Sequence, residues 1–154
     1  MKRGISFEIP NEYGTILREV LKPIDTTVFS WRIGNGESYI VVDDELDEAL
    51  FSEDKKAIEG TELKKLLDNN KFYIVSADLQ AYPKGGFTEI ETYEDFIESH
   101  CELVLLVVDS CYFTIYCRNK ETIELLYKNA ADCGFEDIEY ITEENDTRTR
   151  LSVW

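Results

Sequence analysis

The 154-residue sequence has few of the residues that catalysis and metal binding use most often. It contains one histidine, and its four cysteines form no C-x-x-C pair, so the usual spacings of zinc and dithiol redox sites are missing. Its longest aliphatic run, Leu103 to Val108, is far shorter than the about 20 residues that span a bilayer. The N-terminus lacks the apolar stretch of a signal peptide. We therefore expect a cytoplasmic protein with free thiols and without a metal, a cofactor or a membrane partner.

Basic residues are also scarce. Lys and Arg together number 16 against 32 Asp and Glu, which gives a net charge of −16. Binding to DNA or RNA phosphates needs clustered cations, so this balance argues against a nucleic-acid partner. Anionic membrane surfaces are disfavoured for the same reason. The remaining interpretations of the charge are a basic partner, a cation, or solubility alone.

The acidic residues are concentrated in three segments that contain no Lys or Arg. Residues 43–54 and 85–110 hold seven acids each, and residues 135–146 hold six. These segments carry −20, so the rest of the chain carries +4. Solvated loops and helix faces are the commoner explanation for such runs. The alternative is that the three segments form one acidic surface that meets a basic protein.

The densest acidic cluster follows a predicted strand and offers candidate binding residues. Its oxygen ligands would suit a hard cation, but the Gly at the sixth loop position and the terminal Glu of an EF-hand loop are missing. An exposed acidic loop is therefore favoured over a metal site, with protein binding as its candidate function. The cluster consists of Asp43, Asp44, Glu45, Asp47 and Glu48.

Aromatic residues on the predicted strands are candidates for the lining of a ligand cleft. The three chosen are Trp31, Tyr39 and Tyr82, although aromatic residues on strands more often pack across strands. His100 completes the apolar stripe of a predicted helix, which favours a partly buried structural histidine over a partner for the adjacent Cys101. No catalytic constellation is visible, so a non-enzymatic protein is favoured.

The hydrophobic periodicity predicts an α+β fold in a single domain over residues 1–154. The order is β-α-β-β-α-β-α-β-β-α-β, which indicates a mainly antiparallel or mixed sheet with about four helices. Residues 1–82 and 71–141 each spell β-α-β-β-α-β. That order is the signature of two ferredoxin-like units that share the strand at 71–82.

The pattern also gives four local predictions. The stripe from Tyr13 to Leu21 predicts a helix over residues 11–22, ended by Pro23. The Gly34-Asn35-Gly36 turn predicts a hairpin between the strands on either side of it. Residues 43–54 are expected to be irregular, and residues 150–154 are expected to add a short edge strand.

Three stretches of the chain resemble a family of uncharacterised Firmicute proteins of the Bacillus type, a domain-of-unknown-function family. They are Lys2-Arg3-Gly4-Ile5-Ser6-Phe7-Glu8-Ile9-Pro10-Asn11-Glu12-Tyr13-Gly14, Gly60-Thr61-Glu62-Leu63 and Ala77-Asp78-Leu79-Gln80-Ala81-Tyr82-Pro83. The resemblance implies a bacterial cytoplasmic protein and carries over no catalytic residue.

Two functions follow as hypotheses. The first is an immunity-like or antitoxin-like protein whose acidic face occupies a basic protein. The second is a small-molecule sensor with an aromatic-lined cleft. An enzyme that uses Asp or Glu, with or without a divalent metal, is a third and weaker hypothesis, because nothing in the sequence places two carboxylates together. Convergence of Asp78 and Asp109, each near a strand end, in one cleft would favour it.

Overall fold

Strands and short helices alternate along the chain. The computed structural model describes residues 1–52, 54–84 and 86–152. Its strands are β1 (Lys2–Glu8), β2 (Phe29–Ile33), β3 (Glu37–Val42), β4 (Glu45–Ala49), β5 (Ala57–Glu59), β6 (Lys71–Pro83), β7 (Leu103–Val108), β8 (Tyr112–Cys117) and β9 (Glu136–Thr142). Its helices are α1 (Ile16–Val20), α2 (Gly60–Asp68), α3 (Tyr93–Glu98) and α4 (Lys120–Asp132).

The strands form one sheet whose longest member, β6, pairs on both sides. The main order is β4-β3-β6-β7-β8-β1-β9, while β2 pairs with β6 and β5 pairs with β2. Every pairing between the described strands is antiparallel. Four helices accompany this sheet in the described residues, which confirms the predicted α+β class.

The strand pairing departs from two predictions. It does not confirm two ferredoxin-like units, because β6, β7 and β8 follow one another as neighbours and β1 lies between β8 and β9. The predicted hairpin at Gly34-Asn35-Gly36 is wrong. β2 and β3 do not pair with each other; instead, both pair with β6, at residues 79–83 and at residues 71–76. The two strands therefore behave as one long strand that is interrupted at residues 34–36.

Each face of the sheet buries its own apolar cluster. Helices α1, α2 and α4 cover the first face, with Leu17, Leu63 and Leu126 against Trp31, Leu105 and Phe113. The second face packs Tyr82, Val104, Leu106, Tyr116 and Ile141 against Ile90, Phe96 and Leu151. Because both faces are covered, β7 is buried along nearly its whole length, as its continuous apolar run predicts.

An extra residue in β6 changes which side chains reach the core. Alternation predicts Tyr73 and Val75 on the same face as Ala77, but the first core contains Phe72 and Ile74 together with Ala77. The register moves from Glu37 opposite Ser76 to Ser38 opposite Ile74, so β6 has one more residue than its partner there. Such a bulge reverses the alternation beyond it.

The first helix is shorter than predicted because its expected first turn docks on the sheet instead. Gly14 and Phe72 exchange two backbone hydrogen bonds, of 3.1 and 2.8 Å, and α1 begins only at Ile16. At the other end of the chain, residues 150–152 form no strand. The last two residues of that predicted edge strand lie outside the described residues.

Helix α3 is held at both ends. Thr92 and Asp95 form a capping box at its start, as the sequence predicts. At its end the Arg118 guanidinium donates hydrogen bonds to the carbonyl oxygens of Phe96, Ile97 and Ser99. These bonds fix α3 against β8 and over the second face of the sheet. No helix in the described part of the chain is long and apolar enough to span a membrane.

Candidate functional site

The acidic cluster forms a hairpin, not the irregular loop predicted for it. Asp43 and Asp44 have φ values of 52° and 61°, and Val42 pairs with Glu45 across them. Two positive φ values in a two-residue loop are typical of a type I′ turn, which matches the twist of the flanking strands. We call β3, the Asp43-Asp44 turn and β4 the acidic hairpin.

The acidic hairpin lies at one border of the sheet. All five residues of β4 are exposed, and within the described chain β4 pairs only with β3. The only salt bridge to the cluster among the described residues joins Lys71 Nζ to Asp44 Oδ1 at 3.6 Å, between largely exposed side chains. An exposed pair of this kind neutralises little charge, so the hairpin is a strongly negative edge.

The three acidic segments do not form one surface. Residues 43–54 include β4 and residues 135–146 include β9, and these are the opposite borders of the main strand order, with five strands between them. At the usual strand spacing this is a separation of roughly 30 Å. Residues 85–110 include α3, which lies on the second face, and β7, which lies within the sheet. The first segment is therefore separate from the third.

The second and third segments meet at a compact group of interacting side chains. Asp146, whose side chain is 4% exposed, accepts hydrogen bonds from Arg3 Nη1 at 3.1 Å and from the Tyr116 hydroxyl at 2.9 Å. The Arg3 guanidinium also lies 4.1 Å from the centre of the Tyr93 ring in α3. Desolvation by burial and the nearby Asp146 carboxylate raise the pKa of Tyr116. Arg3 thus lies between these two acidic segments.

The three aromatic residues proposed as a cleft lining do not come together. Trp31 is fully buried in the first core, where its indole N–H donates to the Thr26 carbonyl at 3.1 Å. Tyr82 is fully buried on the second face, and burial raises its pKa to about 12. Tyr39 lies on β3 and donates a 2.6 Å hydrogen bond to Glu37. Trp31 and Tyr82 are core residues because a strand in the middle of a sheet buries both of its faces.

A polar cleft lies where β2 and β3 are interrupted. The backbone of Gly34 approaches β6 closely, and its N–H donates to the Asp78 carbonyl at 2.7 Å. A Cβ atom on Gly34 would lie 2.9 Å from Asp78 Cγ, and one on Gly36 would lie 2.7 Å from the Ser76 carbonyl oxygen. Only glycine fits so close to the neighbouring strand. Asp78 lies beneath this crossing and is only 7% exposed.

The cleft consists of two adjoining cavities, of about 580 and 320 Å³. Both are lined by Gly34, Asn35, Lys56 and Asp78. Charged residues supply much of the remaining lining. These are Asp54 and Lys55 in the larger cavity, and Arg32, Glu89, Glu91 and Arg150 in the smaller one.

Sequence reasoning missed this cleft, although one signal pointed to it. Asp78 is a carboxylate in the centre of a long predicted strand, and the Gly34-Asn35-Gly36 run is the segment that passes over it. A carboxylate is seldom buried in a strand unless a polar or charged group contacts it. Asp109, the other half of the hypothetical enzyme pair, is an exposed turn residue and lines neither cavity.

The histidine and the thiols differ widely in exposure. His100 is exposed, so the prediction of a partly buried histidine is wrong; α3 ends at Glu98, before the stripe reaches it. Burial raises the pKa of Cys101 to about 12 and that of Cys117 to about 11. Cys133 is exposed at the end of α4.

We expect thiol-specific alkylation of the native protein near neutral pH to modify Cys133 well before Cys101 and Cys117. The thiolate is the reactive form, and both burial and the raised pKa suppress it at the two core positions. Mass spectrometry of peptides over a time course measures the order. Unfolded protein is the control, since all thiols then react. Native Cys101 reacting as fast as Cys133 would contradict the packing described for the second face.

Comparison with known proteins places the chain among relatives of unknown function. A family described as "Protein of unknown function (DUF2691)" matches residues 2–152. The chain is 46% identical over 154 residues to an uncharacterised protein, YncE, of Bacillus subtilis strain 168, covering 99% of this chain and 100% of the relative. No solved structure is significantly similar to it.

Proposed function

The chain belongs to the DUF2691 family, and from its own surface we propose that it is a non-enzymatic binding protein whose acidic hairpin docks against a basic protein. The observation that carries the proposal is the outer edge of β4, which has no strand partner within the described residues and carries the densest run of carboxylates in the sequence. An exposed strand edge is a template for another extended segment.

The charge on the hairpin selects the partner. A second copy of the chain would bring the same carboxylates against themselves, and this repulsion disfavours edge-to-edge pairing between copies. A basic extended segment is attracted to the same carboxylates, both as it approaches the hairpin and in the bound state. Acidic residues that protect the edge from self-association would therefore also make it selective for a cationic partner.

Neutralising the hairpin is expected to slow association with a basic partner by at least about tenfold at low ionic strength, because electrostatic steering acts on the on-rate. The variant combines D43N, D44N, D47N and E48Q. Asparagine tolerates the positive φ of the turn, so the hairpin is preserved. Affinity purification from a native bacterial lysate supplies candidate basic proteins, and each is then purified and its binding kinetics measured.

The matched control carries E136Q, E139Q, E143Q and E144Q on and after β9, at the opposite border of the sheet. Both variants change the net charge from −16 to −12, so a difference between them reports position and not total charge. Equal losses in the two variants would contradict docking at the hairpin. Recovery of no basic protein at low salt would contradict the proposed function itself.

A second function is favoured by the cleft between β2 and β3. We propose binding of a small polar molecule there. This replaces the aromatic-lined cleft of the sequence hypothesis, because Trp31 and Tyr82 lie in the core while the cavities have a largely polar and charged lining. A concave site with a few convergent polar groups is the usual form of a ligand site.

A further inference from the structure

The smaller of the two cavities in the cleft has an unusual balance of charge. Three cations line it, Arg32, Lys56 and Arg150, and three carboxylates, Asp78, Glu89 and Glu91, line it as well. The whole chain has twice as many acids as bases, so a neutral cavity is a local departure from the rest of the surface. A ligand that fits this lining must satisfy both signs of charge.

The sheet places several of these groups on one face. Arg32 is the cross-strand partner of Gln80, so their side chains lie on the same side of the sheet. Asp78 is two residues from Gln80 on β6 and therefore shares that side. Lys56 directly precedes β5, the strand beyond β2, and its carbonyl accepts a 2.9 Å hydrogen bond from the Ile33 N–H.

Two of the cations form no salt bridge with a carboxylate in the described part of the chain. Within the described residues, neither Arg32 nor Lys56 forms a salt bridge, whereas Arg150 lies 3.8 Å from Glu91. Arg32 is half-buried, so a carboxylate that reaches it is partly shielded from water and binds more strongly than it would on an open surface.

The lining excludes the simpler ligand classes. A ligand that carried only negative charge would meet the three carboxylates, and one that carried only positive charge would meet the three cations. An apolar ligand would strip water from charged groups without replacing their hydrogen bonds. The volume of about 320 Å³ lies at the small end of ligand sites, which are roughly 300 to 1,000 Å³.

We propose that this cavity binds a free α-amino acid. Its carboxylate contacts Arg32 and Lys56, and its ammonium group contacts the carboxylates of Asp78 and Glu89. The inference rests on the second proposed function, small-molecule binding in the cleft, and it specifies the chemical class of that molecule. The short distance between the two charges of an α-amino acid matches a cavity in which both signs are crowded together.

The test uses the full-length protein and the twenty proteinogenic amino acids, screened singly by thermal shift, with isothermal titration for those that raise the melting temperature. Each binder is compared with its N-acetyl derivative, which lacks the positive charge, and with its amide, which lacks the negative charge. We expect at least one amino acid to bind, and both derivatives to bind at least about tenfold more weakly.

Variants locate the site. R32Q and K56Q are each expected to weaken amino-acid binding by at least about tenfold, because each removes one charge-assisted contact. K84Q is the control, since Lys84 is exposed, pairs with Glu59 and lines neither cavity. Lys56 is exposed, so K56Q remains informative even if the half-buried Arg32 proves necessary for folding.

The outcomes separate the two proposals. If a singly charged derivative binds as tightly as its parent amino acid, the ligand class is wrong while small-molecule binding stands. If both R32Q and K56Q bind as tightly as the wild-type protein, the assigned cavity is wrong. If no amino acid and no derivative changes the melting temperature, the inference is overturned; if the same screen extended to other small polar metabolites is also negative, the second proposed function is overturned as well.

Discussion

Replacing Gly4 with alanine is expected to prevent folding or to lower the free energy of unfolding by more than about 4 kcal/mol, a loss outside the usual range for single substitutions. Gly4 lies in β1 opposite Tyr116 of β8. A Cβ atom on Gly4 would lie 1.8 Å from the carbonyl oxygen of Ile115, and this is backbone that cannot move without breaking the sheet. The strands would have to separate where both faces of the sheet are covered.

The matched control is G14A. A Cβ atom on Gly14 meets nothing within 4 Å, so alanine is accommodated there. Alanine also restricts the unfolded chain, and G14A is therefore expected to change stability by less than about 1 kcal/mol. Urea unfolding followed by circular dichroism compares the two variants. A midpoint for G4A close to that of G14A would contradict the close approach of β1 and β8.

Removing the carboxylate of Asp146 is expected to lower the free energy of unfolding by roughly 3 to 5 kcal/mol. D146A leaves Arg3, which is largely buried, and the buried Tyr116 hydroxyl without their shared acceptor. It also removes the acceptor of a 3.2 Å hydrogen bond from the Arg148 N–H, which anchors the C-terminal segment. Breaking a buried pair in this way leaves an uncompensated charge.

Thermal and urea unfolding measure this loss, with E143A as the control. Glu143 lies three residues earlier, is exposed, and is expected to change stability by no more than about 0.5 kcal/mol when replaced. D146N keeps part of the hydrogen bonding and should fall between the two. Equal stability of D146A and E143A would show that the Arg3–Asp146–Tyr116 group does not hold the C-terminal segment in place.

The Asp146 group also bears on function, because it explains why only one acidic segment is proposed as a binding surface. Arg3, Arg148 and Arg150 lie close to the carboxylates around the second face and engage several of their oxygens. Among the described residues, the acidic hairpin forms one salt bridge, which joins it to the exposed Lys71. Counting charges along the sequence gives the hairpin and the second face a similar excess of acids. In the folded molecule, nearby cations neutralise the hairpin carboxylates far less than they neutralise those of the second face.

Local features were predictable because their causes are local. A Thr followed three residues later by an acid predicts the Thr92–Asp95 capping box, and an Asn before an apolar helical stripe predicts the Asn119 cap of α4. Both form, and Gly134 adopts a φ of 77° after that helix. A cap joins residues three apart, and a positive φ after a helix depends on one residue. Tertiary contacts change such features little.

The hairpin predictions failed because turn residues do not specify a partner strand. The sequence predicts a turn at Gly34 and Gly36, yet neither has a positive φ in the structure, and both let the chain pass close to β6. Conversely, Asp43 and Asp44 make the true two-residue turn without a glycine. The choice between the two hairpins depends on which strand lies alongside, and that strand is about 40 residues away along the chain.

The α+β class, the helix caps and the uneven placement of charge could be predicted, since they follow from periodicity and from interactions within a few residues. Three other features became clear only from the fold: two acidic segments lie at opposite borders of the sheet, Trp31 and Tyr82 are core residues, and Asp78 lies in a charged cleft. Those outcomes depend on strand pairing between distant segments, whose energies combine burial and backbone hydrogen bonding over the whole sheet.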